Sequence, residues 1–279
     1  MVTNGPAPGQ SLRDQLGVKS PQKIEYIKML IFGDSGSGKT TLLGTAQDSE
    51  LTSPVFLLDI EAGTSVLSDK PLVDVKQART MAAVQEVADA LHKYPKYYKT
   101  FELDGFTELR EIDMQEVMQQ QYNKKPETTD LYVPSPREWG KSGSRVKELL
   151  RYLKDLPCHV IVTALVSADT NERTGITSFH PMMPGQLKGQ VPGFFDIVGF
   201  LRANTRGGDT VRTLQFAKTE RVMAKDRTKC LPASMDEPTI PKIWNCIFSK
   251  ETPATIERTI APELLAQVAK DSATQPAKG

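Results

Sequence analysis

The run Gly33-Asp34-Ser35-Gly36-Ser37-Gly38-Lys39-Thr40 fits the phosphate-loop pattern G-x-x-x-x-G-K-[ST] at every fixed position, and its setting restricts the fold more than any other feature of the chain. Ile27 to Phe32 (IKMLIF) reads as a short buried strand, and Thr41 to Ala46 (TLLGTA) as the start of a helix. Glycines let such a loop turn its backbone N–H groups inward around a phosphate chain, and the helix N-terminus adds a favourable dipole. The pattern predicts a nucleoside triphosphate held by Gly33, Asp34, Ser35, Gly36, Ser37, Gly38, Lys39, Thr40 and Thr41. In it Lys39 reaches the β- and γ-phosphates, and the Thr40 hydroxyl holds Mg²⁺.

The rest of the chain supplies the other strands such a unit needs. Pro54 to Ile60 (PVFLLDI) is a continuous apolar run ending in an acid, the pattern of a parallel strand buried on both faces. Leu72 to Val75 is a short strand candidate. Residues 79–93 place Val84, Val87, Ala88 and Leu91 on one helical face. Thr100 to Asp104 (TFELD) reads as a third strand, Thr107 to about Gln121 as a helix, Ser144 to Leu156 as another, and Cys158 to Val166 (CHVIVTALV) as a fourth buried strand. Phe195 to Ala203 and Thr210 to Ala217 read as two strands joined by Arg206-Gly207-Gly208-Asp209, a hairpin signal. Alternating strands and helices predict an α/β fold, a mainly parallel sheet flanked by helices, with an antiparallel C-terminal extension.

Two stretches interrupt this rhythm. Tyr122 to Glu138 holds three prolines and no period, and Ser167 to Gly193 carries glycines at 175, 185, 189 and 193 and prolines at 181, 184 and 192. Long structureless loops in a compact domain are usually functional, and in open α/β sheets ligands sit beyond the carboxyl ends of the strands.

A net charge of +1 confines any nucleic-acid surface to a local patch. The three cysteines, Cys158, Cys230 and Cys246, lack metal-like spacing and suit reduced cytosolic thiols. No apolar run approaches the roughly 18 residues that span a bilayer, and residues 1–17 contain no apolar signal core. The expectation is therefore a cytoplasmic protein with no membrane partner. Its organisation reads as a flexible N-terminal segment (1–22), one core (23–235), and a C-terminal extension ending in a flexible tail (236–279).

Asp104 ends an apolar strand downstream of the phosphate loop, where a carboxylate holds Mg²⁺ through a water. Gly105 follows it, although many AAA-type motors carry a water-activating glutamate there. Glu102 lies on the same strand face but further from the end. Glu61, just past the second strand in LDIEAG, is the stronger candidate base if that strand is adjacent to the phosphate loop. Thr163, polar in an apolar strand, either senses the γ-phosphate or bonds within the sheet. Lys225 and Arg227 either form part of a solvated charged face or stabilise charge on a transferring phosphoryl group, as arginine fingers do.

The order of these features resembles the RecA-type recombinase core. More closely, the chain resembles phage-encoded nucleotide-binding ATPases that are RecA cores without extra domains, several of which are single-strand annealing proteins. The resemblance spans roughly residues 24 to 235 and rests on the phosphate loop, LDIEAG, TFELD, HVIVTALV and AKDR. It implies a RecA-like P-loop NTPase using ATP and Mg²⁺. In it Glu61 polarises the attacking water, Lys225 and Arg227 reach the ATP of a neighbouring subunit in a homo-oligomer, and loops 122–138 and 167–193 bind single-stranded DNA. Such a protein would act in the host bacterial cytoplasm if phage-encoded. The chain departs from the pattern at Thr163-Ala164, where RecA-type proteins usually carry Asn-Gln.

The loops carry their own signal. Lys124, Lys125, Arg137 and Lys141 interleave with Tyr122, Tyr132 and Trp139; Arg173, His180 and Lys188 offer further cations, and Phe179, Phe194 and Phe195 offer rings. Cations along a backbone and aromatic platforms for bases are what single strands need; a protein–protein contact surface is the plainer reading. The function expected is an ATP- and Mg²⁺-dependent single-stranded-DNA-binding recombination or annealing ATPase, stimulated by DNA. A P-loop phosphotransferase acting on a small molecule and a nucleotide-gated assembly protein are the alternatives.

Overall fold

The computed structural model describes residues 24–249 apart from Lys96. The ends expected to be flexible lie outside these residues. In chain order the elements are β1 (Lys28–Gly33), α1 (Lys39–Gly44), β2 (Val55–Asp59), β3 (Val73–Gln77), α2 (Met81–Lys93), β4 (Thr100–Asp104), α3 (Phe106–Lys124), α4 (Pro136–Lys154), β5 (His159–Thr170), β6 (Thr177–Pro181), α5 (Leu187–Gln190), β7 (Ile197–Arg206), β8 (Asp209–Gln215), β9 (Lys225–Asp226), β10 (Ser234–Asp236) and α6 (Ile240–Phe248).

The strands form one sheet in the order β10-β8-β7-β1-β5-β4-β2-β3, with β6 paired to β5 and β9 to β7. Neighbours from β7 to β3 run parallel, whereas β8, β10, β6 and β9 join antiparallel. This is the mainly parallel, helix-flanked α/β sheet with an antiparallel C-terminal extension that the sequence predicts. Parallel strands buried on both faces are apolar on both, and β1 shows it. Leu30 and Phe32 pack with Val84, Leu109, Val146 and Leu150 under α2, α3 and α4. Met29 and Ile31 pack with Leu42, Leu43, Ile243 and Trp244 under α1 and α6.

Local signals set several helix starts. The Thr80 hydroxyl accepts from Ala83 N at the start of α2, and Thr239 accepts from Lys242 N at the start of α6. A capping box joins Ser135 and Glu138 at the start of α4, so this helix begins at Pro136 rather than at Ser144.

The structure corrects several further expectations. The segment 167–193 is no irregular loop: β5 runs on to Thr170 and turns back through β6, with Val166 opposite Pro181, before the short α5. The strand β2 is also not adjacent to β1, because β5 and β4 lie between them. The boundary expected at 236 falls inside β10, and the following α6 buries Ile240, Ile243 and Trp244 in the same core as β1.

Candidate active site

The site is built at the carboxyl ends of the parallel strands. β1 ends at Gly33 and α1 begins at Lys39, with Gly38 between them in the left-handed region at φ 95°. No side chain caps α1, which leaves the amides at its start open to an anion. Lys39 is buried. Its Nζ donates to the carbonyls of Gly33 (3.1 Å) and Asp34 (2.9 Å), and burial lowers its pKa against the opposing pull of Glu61, Asp104 and Asp34. The Ser37 hydroxyl is buried without a hydrogen-bond partner. Free amides, an ammonium and an orphaned hydroxyl around one concave turn fit a polyphosphate. Thr41 stands on the exposed side of α1.

The metal ligands proposed from sequence meet here. Thr40 Oγ1 donates to Asp104 Oδ2 at 2.6 Å. The other carboxylate oxygen accepts from Thr163 Oγ1, which in turn accepts from Gly105 N at 3.0 Å. Thr163 thus holds the carboxylate, and its hydroxyl is committed within the sheet. A hydroxyl beside a fixed carboxylate suits Mg²⁺, which takes few protein oxygens and draws the rest from phosphate and water. Among the described residues no cluster of three or more His, Cys, Asp or Glu side chains could hold a metal alone.

Glu61 reaches this site although its strand is distant from β1. The buried Asp59 shapes the turn after β2: its Oδ1 accepts from Ala62 N (2.8 Å) and its Oδ2 from Thr64 Oγ1 (2.8 Å). The turn swings Glu61 across the end of β4 to Gly105, where a Cβ would lie 2.5 Å from Glu61 Cγ and 2.9 Å from Oε1. Loss of water against this backbone raises the pKa of Glu61; Asp104 raises it further and Lys39 opposes. Glu102 is a different case. It is fully buried with both carboxyl oxygens unpartnered, and burial followed by Asp104 drives its pKa well above the carboxylate range. Sealed from water, it cannot reach an attacking nucleophile.

The two cations expected to serve a neighbour stand elsewhere. Lys225 pairs with Val198 near the start of β7, level with Leu30 in β1 and set back from the phosphate loop toward the amino ends of the strands. Its Nζ donates to the carbonyls of Phe195 (2.6 Å) and Pro192 (3.2 Å), and burial lowers its pKa. Arg227 pairs with Asp196 at 3.0 Å. Neither meets the nucleotide site of its own chain.

Of the cations proposed for DNA, Lys124, Lys125, Arg137 and Arg173 are exposed, and Lys188 forms an ion pair with Asp169. His180 is not presented: it is buried, with Nδ1 against the Pro181 carbonyl. Phe195 is core, Phe194 lies under Arg151, and Phe179 stacks on Phe200 at 5.5 Å.

Three features escape sequence reasoning. The positioning role of Asp59 had a signal, an acid closing an apolar run, that was spent on strand assignment alone. The contact between Glu61 and Gly105 depends on strand order. The third is a cleft of about 540 Å³ between α4 and the segment 184–190, where the Arg110 guanidinium sits 5.2 Å from the centre of the Trp139 ring. Arg110 is 7% exposed and its Nη1 has no hydrogen-bond partner, and Lys147 and Gln186 complete the walls.

A family model described as AAA domain matches residues 25–228. Among solved structures, the KaiC-like protein PH0186 from the hyperthermophilic archaeon Pyrococcus horikoshii OT3 is similar at 13% identity and a TM-score of 0.40, over 70% of this chain and 79% of that one. No curated protein matches the sequence. No described helix is long and apolar enough to cross a membrane.

Proposed function

We propose that this chain, which belongs to the AAA domain family, is an ATP- and Mg²⁺-dependent ATPase, and that it binds single-stranded DNA and acts in recombination or strand annealing. On the nucleotide side, Lys39 and the free amides of the loop take the phosphates, and Thr40 and Asp104 take the metal. Glu61 orients and deprotonates the attacking water. The bound Mg²⁺ would neutralise charge on the phosphate oxygens.

The observation that carries the DNA reading is the cleft beside Trp139. It opens between the two segments proposed to hold DNA, with Pro136 and the flanking Trp139 on one side and Gln186 and Gln190 on the other. A half-exposed indole backed by a guanidinium is a base-stacking platform, and the Arg110 Nη1, unpartnered although Nη2 pairs with Glu111, can donate to a phosphate. Arg137, exposed, follows the lining residue Pro136, and Lys124 and Lys125 are exposed at the end of α3. Lys225 and Arg227 lie away from their own phosphate loop and are held by Pro192, Phe195 and Asp196 of their own chain, so serving a neighbouring subunit would require them to leave those partners.

The test is ATP hydrolysis with and without single-stranded DNA across a salt series. Stimulation that fades with salt, as counterion release requires, supports the reading. Turnover indifferent to DNA at every salt concentration overturns the DNA half and leaves an ATPase of another purpose.

A further inference from the structure

The β7–β8 hairpin enters the sequence reading only as an extension of the sheet, yet it delivers a cation to the phosphate loop. Gly33, the last residue of β1, lies beside Leu201 on β7, and Ala203, two residues further along, pairs with Arg212 on β8. Arg212 therefore stands just beyond the carboxyl end of β1, at the height where the loop begins. Its backbone is pinned: Arg212 N donates to Glu237 Oε1 and its carbonyl accepts from Glu237 N, both at 2.7 Å. The adjacent Thr213 hydroxyl donates to Asp236 at 2.6 Å.

The side chain lies against the loop itself. A Cβ at Gly38 would meet Arg212 Nε at 2.5 Å, Cδ at 2.9 Å and Cζ at 3.5 Å. The Arg212 Nε is shielded from solvent and makes no hydrogen bond, and the nearby Ser37 Oγ is in the same condition. A buried donor without an acceptor is costly and rare in a folded protein. Two of them beside one phosphate loop point to an acceptor that arrives with the ligand.

We propose that Arg212 is a cis-acting cation of the nucleotide site, its guanidinium closing on the phosphate chain cradled by residues 33–40. This deepens the ATPase reading and rests on it. Position 38 then needs glycine twice, for its positive φ and for the room Arg212 occupies. Arg212 differs in kind from Lys225 and Arg227, since it belongs to the same chain as the phosphates it touches.

The experiment measures binding of a ribose-labelled fluorescent ATP, and of ADP by competition, to the full chain with Mg²⁺. The Lys39→Ala variant serves as the reference for a lost site. Arg212→Gln is expected to weaken both nucleotides by about 10-fold or more, the range of a lost charge-assisted hydrogen bond, and Arg212→Lys to recover part of it. Wild-type binding with Lys39→Ala silent and Arg212→Gln equal to wild type overturns the Arg212 assignment alone. Wild type that binds neither nucleotide overturns the ATPase reading and this inference together. Mixing separates cis from trans: recovery of Arg212→Gln turnover by added Lys39→Ala subunits, which carry an intact Arg212, overturns the cis placement. Should Arg212→Gln fail to fold, the unmodified protein answers. MgATP is expected to protect Arg212 from phenylglyoxal, read by mass spectrometry of its peptide, and unchanged labelling overturns the assignment.

Discussion

The carboxylate of Glu61 occupies the space that a side chain at position 105 would need: a Cβ built on Gly105 lies 2.5 Å from Glu61 Cγ and 2.9 Å from its Oε1. The residue after Asp104, the proposed metal ligand, is thus a glycine against which an acid from another strand packs. Gly105 also has φ 109°, a region L side chains rarely adopt. Gly105→Ala is therefore expected to displace Glu61 while leaving the phosphate loop intact. Turnover should fall at least about 10-fold, stability by about 1–3 kcal/mol for the strained backbone, and ATP affinity little. Equal losses in turnover and in ATP affinity, measured separately, would place Glu61 outside catalysis.

A base with a raised pKa leaves a trace in the rate profile. Burial, and then Asp104, push the Glu61 carboxyl above its ordinary range, with Lys39 opposing. A base acts only when ionised, so the acid limb of kcat against pH should rise above the pH at which an ordinary carboxylate titrates. Glu61→Gln should lower turnover by about 10²–10⁴-fold and remove that limb. An acid limb that survives unchanged in the variant assigns the base to another residue.

Much of this site was legible because buried parallel strands announce themselves as continuous apolar runs. IKMLIF and TFELD fell where the structure has β1 and β4, and the acid at the end of the second run lands beside Thr40. What escaped is what strand order decides. Glu61 was assigned on the assumption that its strand neighbours β1; β5 and β4 intervene, and the Asp59 turn carries it across. The β6 hairpin escaped because Thr177-Ser-Phe-His-Pro shows no alternation and is punctuated by proline. It forms because β5 overhangs the sheet beyond Val166 and its edge needs a partner. Arg212 carries no local mark at all: in sequence it is one more cation on a strand.

Thr163 is a positioning residue for Asp104. It donates to one carboxylate oxygen of Asp104 and accepts from Gly105 N, so it ties the proposed metal ligand to the residue that packs on Glu61. Thr163→Val leaves a buried N–H and a carboxylate oxygen unmatched, at a cost of about 1–3 kcal/mol. The Mg²⁺ concentration for half-maximal turnover should rise about 10-fold, and Thr163→Ser, which keeps the hydroxyl, should restore it. A rise in Val that Ser does not reverse would mean that the hydroxyl is not what positions Asp104.

The end of the sheet opposite the nucleotide predicts a pH dependence of stability. His159 is buried beneath α6, 5.2 Å from the Trp244 ring centre, and its Nδ1 accepts from Ile27 N at 3.0 Å, which requires a neutral ring. Burial, then the charge of Lys28, lowers its pKa from 6.5 to about 4. Below about pH 6.5 the unfolded chain takes up a proton at this residue that the folded chain refuses until about pH 4. Its contribution is therefore complete above that window, declines as pH falls through it, and is lost below it, on the order of 3 kcal/mol in all. Urea unfolding at pH 7.5 and pH 5 should show the decline, and His159→Asn, which keeps an acceptor for Ile27 but does not titrate, should show less of it. A variant whose stability falls as steeply as that of the wild type would move the acid sensitivity to other groups.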